Sequence, residues 1–386
     1  PPQIIYSLKN SSSVNLPIGI ALLPIIFLVL LLSINVFIYG DDSLNGTNQF
    51  ILILSGLFGA SLGFIYKVSY KKILKSISNS VKSVTGALLI LLFVGALAGT
   101  WMISGVIPSM VYYGLKILDP NIFLPACVII CSIISVATGS SWTTSATVGI
   151  ALVGIGKALG IPPGMVGGAV IAGAYFGDKL SPLSDTTNLA AAVTKVDLFK
   201  HIKYLTYTTI PSISITLIVF IILGFLQVSN GSTDNSYLLT AITEKFNISL
   251  VLFIVPILVL IMIIKKTPPL IALVIGTLVG ALFSIIFQPQ IIAELSADSN
   301  SKLINTYVVI MDTITGPVSI ETNNAMLNDL FSTGGMLGML NTIFLVIGTM
   351  VFGGVMEAIG ALKTISKTLL EWADTSFKLF ASTVAS

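Results

Sequence analysis

The feature that most constrains the fold of this chain is a polar stretch inside an apolar segment, from Gly173 to Ala192 (GAYFGDKLSPLSDTTNLAAA). It contains two carboxylates, Asp178 and Asp185, together with Lys179, and Pro182 lies between the two acids. A proline within a helix removes one backbone donor and clashes with the preceding turn, so carbonyl groups are left unpaired. At membrane depth such backbone is tolerated only where it is packed in protein or lines a wet cavity, and charged side chains there usually belong to functional sites. We therefore expect a membrane helix that is broken near Pro182 and that holds an ion or substrate site.

The composition places this broken segment in a membrane protein. Hydrophobic residues make up 55% of the chain and charged residues 9%, with a mean hydropathy of +1.00. Because soluble domains carry charge on about a quarter of their residues, we expect an all-α polytopic membrane protein. The net charge of +3 comes from lysines in short segments, which indicates orientation in the bilayer and no nucleic-acid partner. Cys127 and Cys131 lie on an apolar helix without further metal ligands and are expected to be buried and unreactive.

The lysine-rich segments orient the chain in the membrane. Five lysines lie in a predicted loop from Lys67 to Lys82, and the positive-inside rule places this loop and the N-terminus in the cytoplasm. A second basic loop, Lys195 to Lys203, is also cytoplasmic if residues 121–160 turn back within the membrane without crossing it. The expected divisions are a cytoplasmic segment (1–16), a first transmembrane repeat (17–228) with a re-entrant hairpin (121–160) and a broken helix (161–196), an external loop (229–247), and an incomplete second repeat (248–386).

Two motif pairs indicate that the halves are related. SGLFGASLG at Ser55 resembles IGTLVGALF at Ile275, and FVGALAGTWMISG at Phe93 resembles VIGTMVFGGVMEAIG at Val346. The lysine rule orients the two copies oppositely in the bilayer. Inverted repeats of this kind are typical of secondary transporters, whose sites lie on broken helices near the midplane.

The residues of the break fit a hard cation. Sodium prefers oxygen ligands, and a broken helix offers freed carbonyls with hydroxyl, amide and carboxylate groups. The candidates in the break are Asp178, Ser181, Ser184, Asp185, Thr187 and Asn188. A second, uncharged cluster at the hairpin tip (TGSSWTT) supplies the hydroxyls of Ser140, Ser141, Thr143 and Thr144. Because a desolvated carboxylate without its cation takes up a proton, we expect one aspartate to hold either a proton or sodium, with Asp178, Asp185 and Asn188 as sodium ligands.

Other interpretations of single residues stay open. The polar stretch is alternatively a surface loop in which Ser181 and Ser184 cap the following helix. Lys179 either forms a structural ion pair with one aspartate or extends to the membrane surface. Glu357 is either a further buried acid or a residue near the interface beside Lys363.

Two other classes of function are disfavoured. An intramembrane hydrolase lacks support because there is no G-x-S-x-G motif and the single histidine, His201, lies outside the predicted site in a basic loop. A channel is disfavoured because an acidic, proline-broken site within a repeat suits alternating occlusion better than an open pore.

Three long motifs between Gly86 and His201 carry a family resemblance. They are GTWMISGVIPSMVYYGL, ATGSSWTTSATVGIALVGIGKALGIP and GAYFGDKLSPLSDTTNLAAAV. With them the chain closely resembles the NhaC family of sodium/proton antiporters, which includes sodium-lactate/malate-proton exchangers. The resemblance implies ion-site roles for Asp178, Ser181, Asp185, Thr186, Thr187 and Asn188, and for Ser140, Ser141, Trp142 and Thr143 at the hairpin tip.

The same resemblance implies an inverted-repeat ion-transporter fold that commonly dimerises. It implies a secondary active transporter in the cell inner membrane, which exchanges sodium ions for protons by alternating access and needs no cofactor. The expected partners are the sodium ion, the proton, the lipid bilayer and a second copy of the chain. The alternative is sodium- or proton-coupled exchange of a small organic anion such as malate or lactate, or of an amino acid. Family members continue past the position of Ser386, so we expect a second half-site beyond it.

Overall fold

The structure is a computed structural model that describes residues 16–117, 119–182, 184–194, 196–228, 236–265, 267–296, 301–322 and 325–372. Almost all of these residues are helical, and one short two-stranded ladder pairs Val318 with Thr333 and Ser319 with Ser332. The elements, in chain order, are α1 (Ile18–Tyr39), α2 (Thr47–Ile65), α3 (Tyr70–Ile103), α4 (Val106–Ile117), α5 (Pro120–Thr138), α6 (Ser141–Thr144), α7 (Ile150–Ala158), α8 (Pro163–Leu180), α9 (Asp185–Thr194), α10 (Leu198–Val228), α11 (Ser236–Lys245), α12 (Ile254–Ile264), α13 (Pro269–Phe287), α14 (Pro289–Leu295), α15 (Lys302–Thr315), β1 (Val318–Ser319), α16 (Ala325–Leu330), β2 (Ser332–Thr333), α17 (Gly335–Gly338), α18 (Leu340–Ile359) and α19 (Ala361–Trp372).

Seven helices within the described ranges are long and apolar enough to cross a membrane. They are α1, α2, α3, α5, α10, α13 and α18. A helix rises about 1.5 Å per residue, so the 19 residues of α2, α5 and α13 are close to the thickness of the hydrocarbon core. The expected all-α polytopic membrane fold is confirmed.

The chain forms two compact units. Unit one comprises residues 1–89 and 340–386, and its described helices are α1, α2, the first part of α3, α18 and α19. Here α2 packs along α18 through small residues, because Gly59 and Gly63 face Val355 and Ile359. Such close helix contact is the usual role of glycine in membrane helices.

Unit two comprises residues 90–339. Its centre is the pair α5 and α8, which pack closely because Gly173 faces Val128 and Gly177 faces Ser132. The contact positions advance in the same direction along both helices, so α5 and α8 run parallel. Unlike an antiparallel pair, they therefore bring their C-terminal ends to the same level.

The two motif pairs that the sequence relates are packed reciprocally. In unit one, the Ser55 motif on α2 contacts the Val346 motif on α18, where Gly56 meets Phe352. In unit two, the Ile275 motif on α13 contacts the Phe93 motif on α3, where the Trp101 indole donates to the Gly276 carbonyl at 3.3 Å. This exchange of partners is what two interlocked copies would produce, although the inverted repeat stays a prediction.

Two expectations about connecting segments are wrong. The lysine-rich segment is helical from Tyr70, because lysine and serine are compatible with a helix and Ile73 lies on a face that packs in unit one. The basic segment after α9 is likewise helical from Leu198, so Lys200, His201 and Lys203 lie within α10. The helical stretch of α3 is thus 34 residues long, about 51 Å.

The predicted span 248–264 is also not one regular helix. It contains a short 3₁₀ turn at Leu250–Phe253 and then α12, which has only 11 residues. Pro256 fits only in the first turn of a helix, which explains why α12 begins at Ile254. The helix α11 lies in the predicted external loop, and its axis makes an angle of 82° with the segment Leu250–Ile264.

Candidate functional site

The parallel helices α5 and α8 both end at the same place. The Ser135 hydroxyl donates to the Ala174 carbonyl, and a Cβ on Gly177 would lie 2.6 Å from the Ser135 Cβ, so the helices touch up to their last turns. The C-terminal end of a helix carries roughly half a negative charge. Two such ends meet here, at Thr138 and Leu180.

The chain turns sharply after α5. Gly139 adopts a left-handed conformation (φ 70°) that ends the helix, as glycine commonly does. The Thr144 hydroxyl donates to the Ser140 carbonyl at 2.9 Å, and its oxygen lies 3.4 Å from that of Thr138. These contacts place the hydroxyls of the TGSSWTT segment beside the end of α8.

The predicted helix interruption lies between Leu180 and Asp185, where α8 ends and α9 begins. Neighbouring side chains bond the carbonyls that the break frees. The Thr187 hydroxyl lies 3.3 Å from the Asp178 carbonyl and 3.2 Å from the Lys179 carbonyl. Sharing this hydroxyl between the two carbonyls lowers the penalty for burying them away from backbone donors.

Two more side chains fix the break in place. The Asn188 amide nitrogen donates to the carbonyls of Pro182 and Ser184, both at 2.8 Å. Ser181 is fully buried, and its hydroxyl donates to the Val136 carbonyl on α5 at 2.8 Å. Ser181 therefore joins the break to α5, and its predicted role as an ion ligand stays a prediction.

Asp178 occupies the centre of the arrangement. It is half-buried in the last turn of α8, and its Oδ2 accepts a hydrogen bond from the Ser141 hydroxyl at 2.9 Å. Ser141 itself is only 6% exposed. The hairpin tip thus holds the carboxylate through a neutral donor, which leaves its negative charge uncompensated among the described residues.

A cavity of about 650 Å³ opens beside Asp178. One wall is polar and the other is apolar. The lining residues are Thr138, Gly139, Ser140, Trp142, Asp178, Pro182, Ser184, Thr186, Asn188, Ile263, Thr267, Pro268 and Pro269. None of these described residues is cationic, and no group of three or more His, Cys, Asp or Glu side chains occurs in the described ranges. The donor set therefore suits a hard cation held by oxygen rather than a transition metal.

The predicted site residues divide into three groups. Six line the cavity: Ser140, Trp142, Asp178, Ser184, Thr186 and Asn188. Four lie behind it and support those six: Ser141, Thr144, Ser181 and Thr187. The side chains of Thr143 and Asp185 fall outside the described part of the chain, so their predicted roles stay predictions.

Three polar residues singled out in the sequence do not line this cavity. Lys179 is exposed and forms no ion pair with Asp178, while the side chain of Asp185, the other aspartate considered, lies outside the described residues. Glu357 is exposed at the end of α18, where its Oε2 accepts a hydrogen bond from the Ser76 hydroxyl at 3.2 Å, so it is not a buried acid. His201 lies in α10 and does not line the cavity.

Part of the cavity wall was not expected from the sequence. Thr267 and Pro268 come from the link between α12 and α13, Pro269 is the first residue of α13, and Ile263 comes from the last turn of α12. The sequence pattern that could have indicated this part of the wall is KKTPP, in which two prolines interrupt an apolar region just as Pro182 does.

Comparison with known proteins assigns the family. The family model described as the Na+/H+ antiporter family matches residues 173–386, which include the C-terminal part of α8, the break and α9. The chain belongs to this family. Among members of this kind, it is 40% identical over 345 residues to a malate-2H(+)/Na(+)-lactate antiporter of Bacillus subtilis, covering 89% of this chain and 69% of that protein. No solved structure matches the chain.

Two other relatives show how broad the similarity is. The Na(+)/H(+) antiporter NhaC of Alkalihalophilus pseudofirmus is 35% identical, over 87% of this chain and 70% of that protein. The arginine/ornithine antiporter ArcD of Halobacterium salinarum is 32% identical, over 92% of this chain and 70% of that protein. As a member of the Na+/H+ antiporter family with seven apolar helices of membrane length in its described ranges, the chain is a multi-pass membrane protein.

Proposed function

We propose that the protein is a secondary transporter that exchanges sodium ions for protons, and that Asp178 is the carboxylate for which the two ions compete. The observation that carries this proposal is the position of Asp178 at a helix break, beside a cavity lined by neutral oxygens. Membership of the Na+/H+ antiporter family supports the same cargo.

The electrostatics of the cavity favour a cation. The Asp178 carboxylate lies where the C-terminal ends of α5 and α8 meet, and both ends add partial negative charge. No cationic side chain lines the cavity within the described part of the chain. A sodium ion or a proton on Asp178 would neutralise this concentration of negative charge.

The neighbouring oxygens suit the remaining ligand positions of sodium. Ser140 and Thr186 bring hydroxyls to the cavity wall, and Asn188 uses its amide hydrogens on two carbonyls, which leaves its oxygen as an acceptor. A proton needs only the carboxylate, whereas sodium needs several oxygens. Exchange follows because the two ions need the same carboxylate and only one can occupy it at a time.

A second candidate function is exchange of an organic ion. A cavity of about 650 Å³ is far larger than a bare sodium ion, and two relatives carry organic ions in their names. Under this alternative, malate, lactate or an amino acid shares the cavity with the coupling ion. A hydrolase is not supported, because the Ser181 hydroxyl is bonded to a backbone carbonyl and His201 lies elsewhere.

The test uses purified protein in proteoliposomes with an imposed pH gradient. Wild type, Asp178→Asn and Asp185→Asn are compared, and Asp312→Asn serves as the matched control because Asp312 is exposed on α15. We expect sodium to collapse the gradient in wild type and in the control but not in Asp178→Asn. Normal exchange by a folded Asp178→Asn would contradict the proposal.

Sodium-dependent uptake of labelled malate, lactate or arginine would instead favour the second candidate. Cross-linking in membranes would test the expected homodimer.

A further inference from the structure

Lys179 follows Asp178 directly but lines a different cavity. Consecutive residues of a helix point about 100° apart, so the two side chains leave α8 in different directions. Lys179 reaches a groove of about 210 Å³ between α8 and α10. The groove is lined by Ala172, Tyr175, Phe176, Lys179, Thr209, Ser212, Ile213 and Thr216.

The groove lies toward the basic end of α10. Gly168 on α8 faces Phe220 on α10, whereas the later residues of α8 share the groove with earlier residues of α10, so the two helices run antiparallel. Lys179 therefore lies toward Thr209, which is six residues, or about 9 Å, from Lys203 at the basic end of α10. A lysine side chain is long enough to extend over much of that distance toward the basic end of α10.

The chemistry of the groove suits an anion. Within the described ranges no carboxylate pairs with the Lys179 ammonium group, and the hydroxyls of Tyr175 and Ser212 have no acceptor. In contrast, Thr216 already donates its hydroxyl hydrogen to the Ser212 carbonyl at 2.9 Å. Among the described residues, three donors without an acceptor thus line one groove, and an unpaired charge in a membrane is costly.

We infer that this groove binds a phosphate group, supplied by the headgroup of an anionic phospholipid. The outer face of α10 consists of exposed apolar side chains, including Ile210, Ile215 and Ile218, so acyl chains have a surface to lie against. A phosphate accepts hydrogen bonds from an ammonium group and two hydroxyls with its separate oxygens. The inference is independent of the transported ion, because the groove lies apart from the Asp178 cavity.

The site has a direct connection to the helix break. The Lys179 carbonyl lies 3.2 Å from the Thr187 hydroxyl of α9, while its side chain extends to the groove. A headgroup bound by Lys179 therefore holds the last turn of α8 from the lipid side.

The test is binding of phosphatidylglycerol to the purified full chain by native mass spectrometry, with phosphatidylcholine as the neutral reference lipid. The variants are Lys179→Gln, Lys179→Arg and, as the matched control, Lys203→Gln, which removes an exposed lysine from the same end of α10. We expect Lys179→Gln to weaken phosphatidylglycerol binding on the order of fivefold or more, the value of one basic contact to an anionic headgroup. Lys179→Arg and Lys203→Gln should bind within twofold of wild type.

A measurement on the unmodified protein gives a second route that does not depend on folding of the variants. A photoactivatable phosphatidylglycerol should cross-link to peptides from α8 and α10. Competition by millimolar inorganic phosphate would support the site but assign it to a soluble anion. Equal lipid binding by wild type and Lys179→Gln, an equal loss in Lys203→Gln, or cross-links confined to other helices would overturn the inference.

Discussion

Replacement of Ser141 by alanine tests how the carboxylate is held. The Ser141 hydroxyl donates to Asp178 Oδ2 at 2.9 Å, and its surroundings are nearly dry because Ser141 is 6% exposed. A hydrogen bond to a charged group is worth about 1.5–3 kcal/mol, which corresponds to a factor of about 10 to 150 in binding. Without this donor the carboxylate that binds sodium is no longer held in place by Ser141. The apparent affinity for sodium should therefore fall at least about tenfold.

The assay is the sodium concentration that gives half-maximal recovery of the pH gradient in proteoliposomes. Ser141→Thr is the matched control, because it keeps a hydroxyl at the same position and should stay within about threefold of wild type. The variants must show the same amount of folded protein by size-exclusion chromatography. A half-saturating sodium concentration in Ser141→Ala within twofold of wild type would refute the role assigned to this hydrogen bond.

Two further predictions concern the contact between α5 and the broken helix. Gly177→Ala should lower the unfolding temperature or the yield of folded protein, because its Cβ would lie 2.5 Å from the Ser132 carbonyl and overpacking costs about 1–3 kcal/mol; an unchanged unfolding temperature would show that the helices are not in tight contact. Ser181→Ala should also destabilise the protein, by about 0.5–1.5 kcal/mol, since it removes a part-buried hydrogen bond to the Val136 carbonyl. The sodium affinity of Ser181→Ala should remain within threefold of wild type, and a large loss of affinity at normal stability would instead restore Ser181 as an ion ligand.

The position of the break was predictable from the sequence because it depends on local chemistry. Pro182 cannot continue a helix, and the hydroxyl and amide side chains around it can pair the carbonyls that it frees. The structure has α8 ending at Leu180 and shows Thr187 and Asn188 bonded to those carbonyls. That the chain is a membrane protein was predictable from its composition alone.

The remaining features depend on packing between distant segments. The sequence around Gly173 and Gly177 does not show that these residues face α5. Their contact positions are what reveal that α5 and α8 are parallel. The contribution of Thr267 and Pro268 to the cavity likewise depends on where α12 ends in space. The lysine-rich start of α3 resembles a loop in the sequence because its charges end an apolar run. Lysine itself does not oppose helix formation, so the helix includes these residues.

The central claim is that Asp178 holds either a proton or a sodium ion, and proton release on sodium binding tests it most directly. Purified protein in weakly buffered detergent solution with a pH-sensitive dye is titrated with sodium chloride, and choline chloride is the control for ionic strength. Sodium should release protons in wild type, approaching about one proton per site at a pH where Asp178 is mostly protonated, and should release none in folded Asp178→Asn. The same proton release from Asp178→Asn, or saturable sodium binding by wild type without proton release over the pH range of transport, would contradict the account.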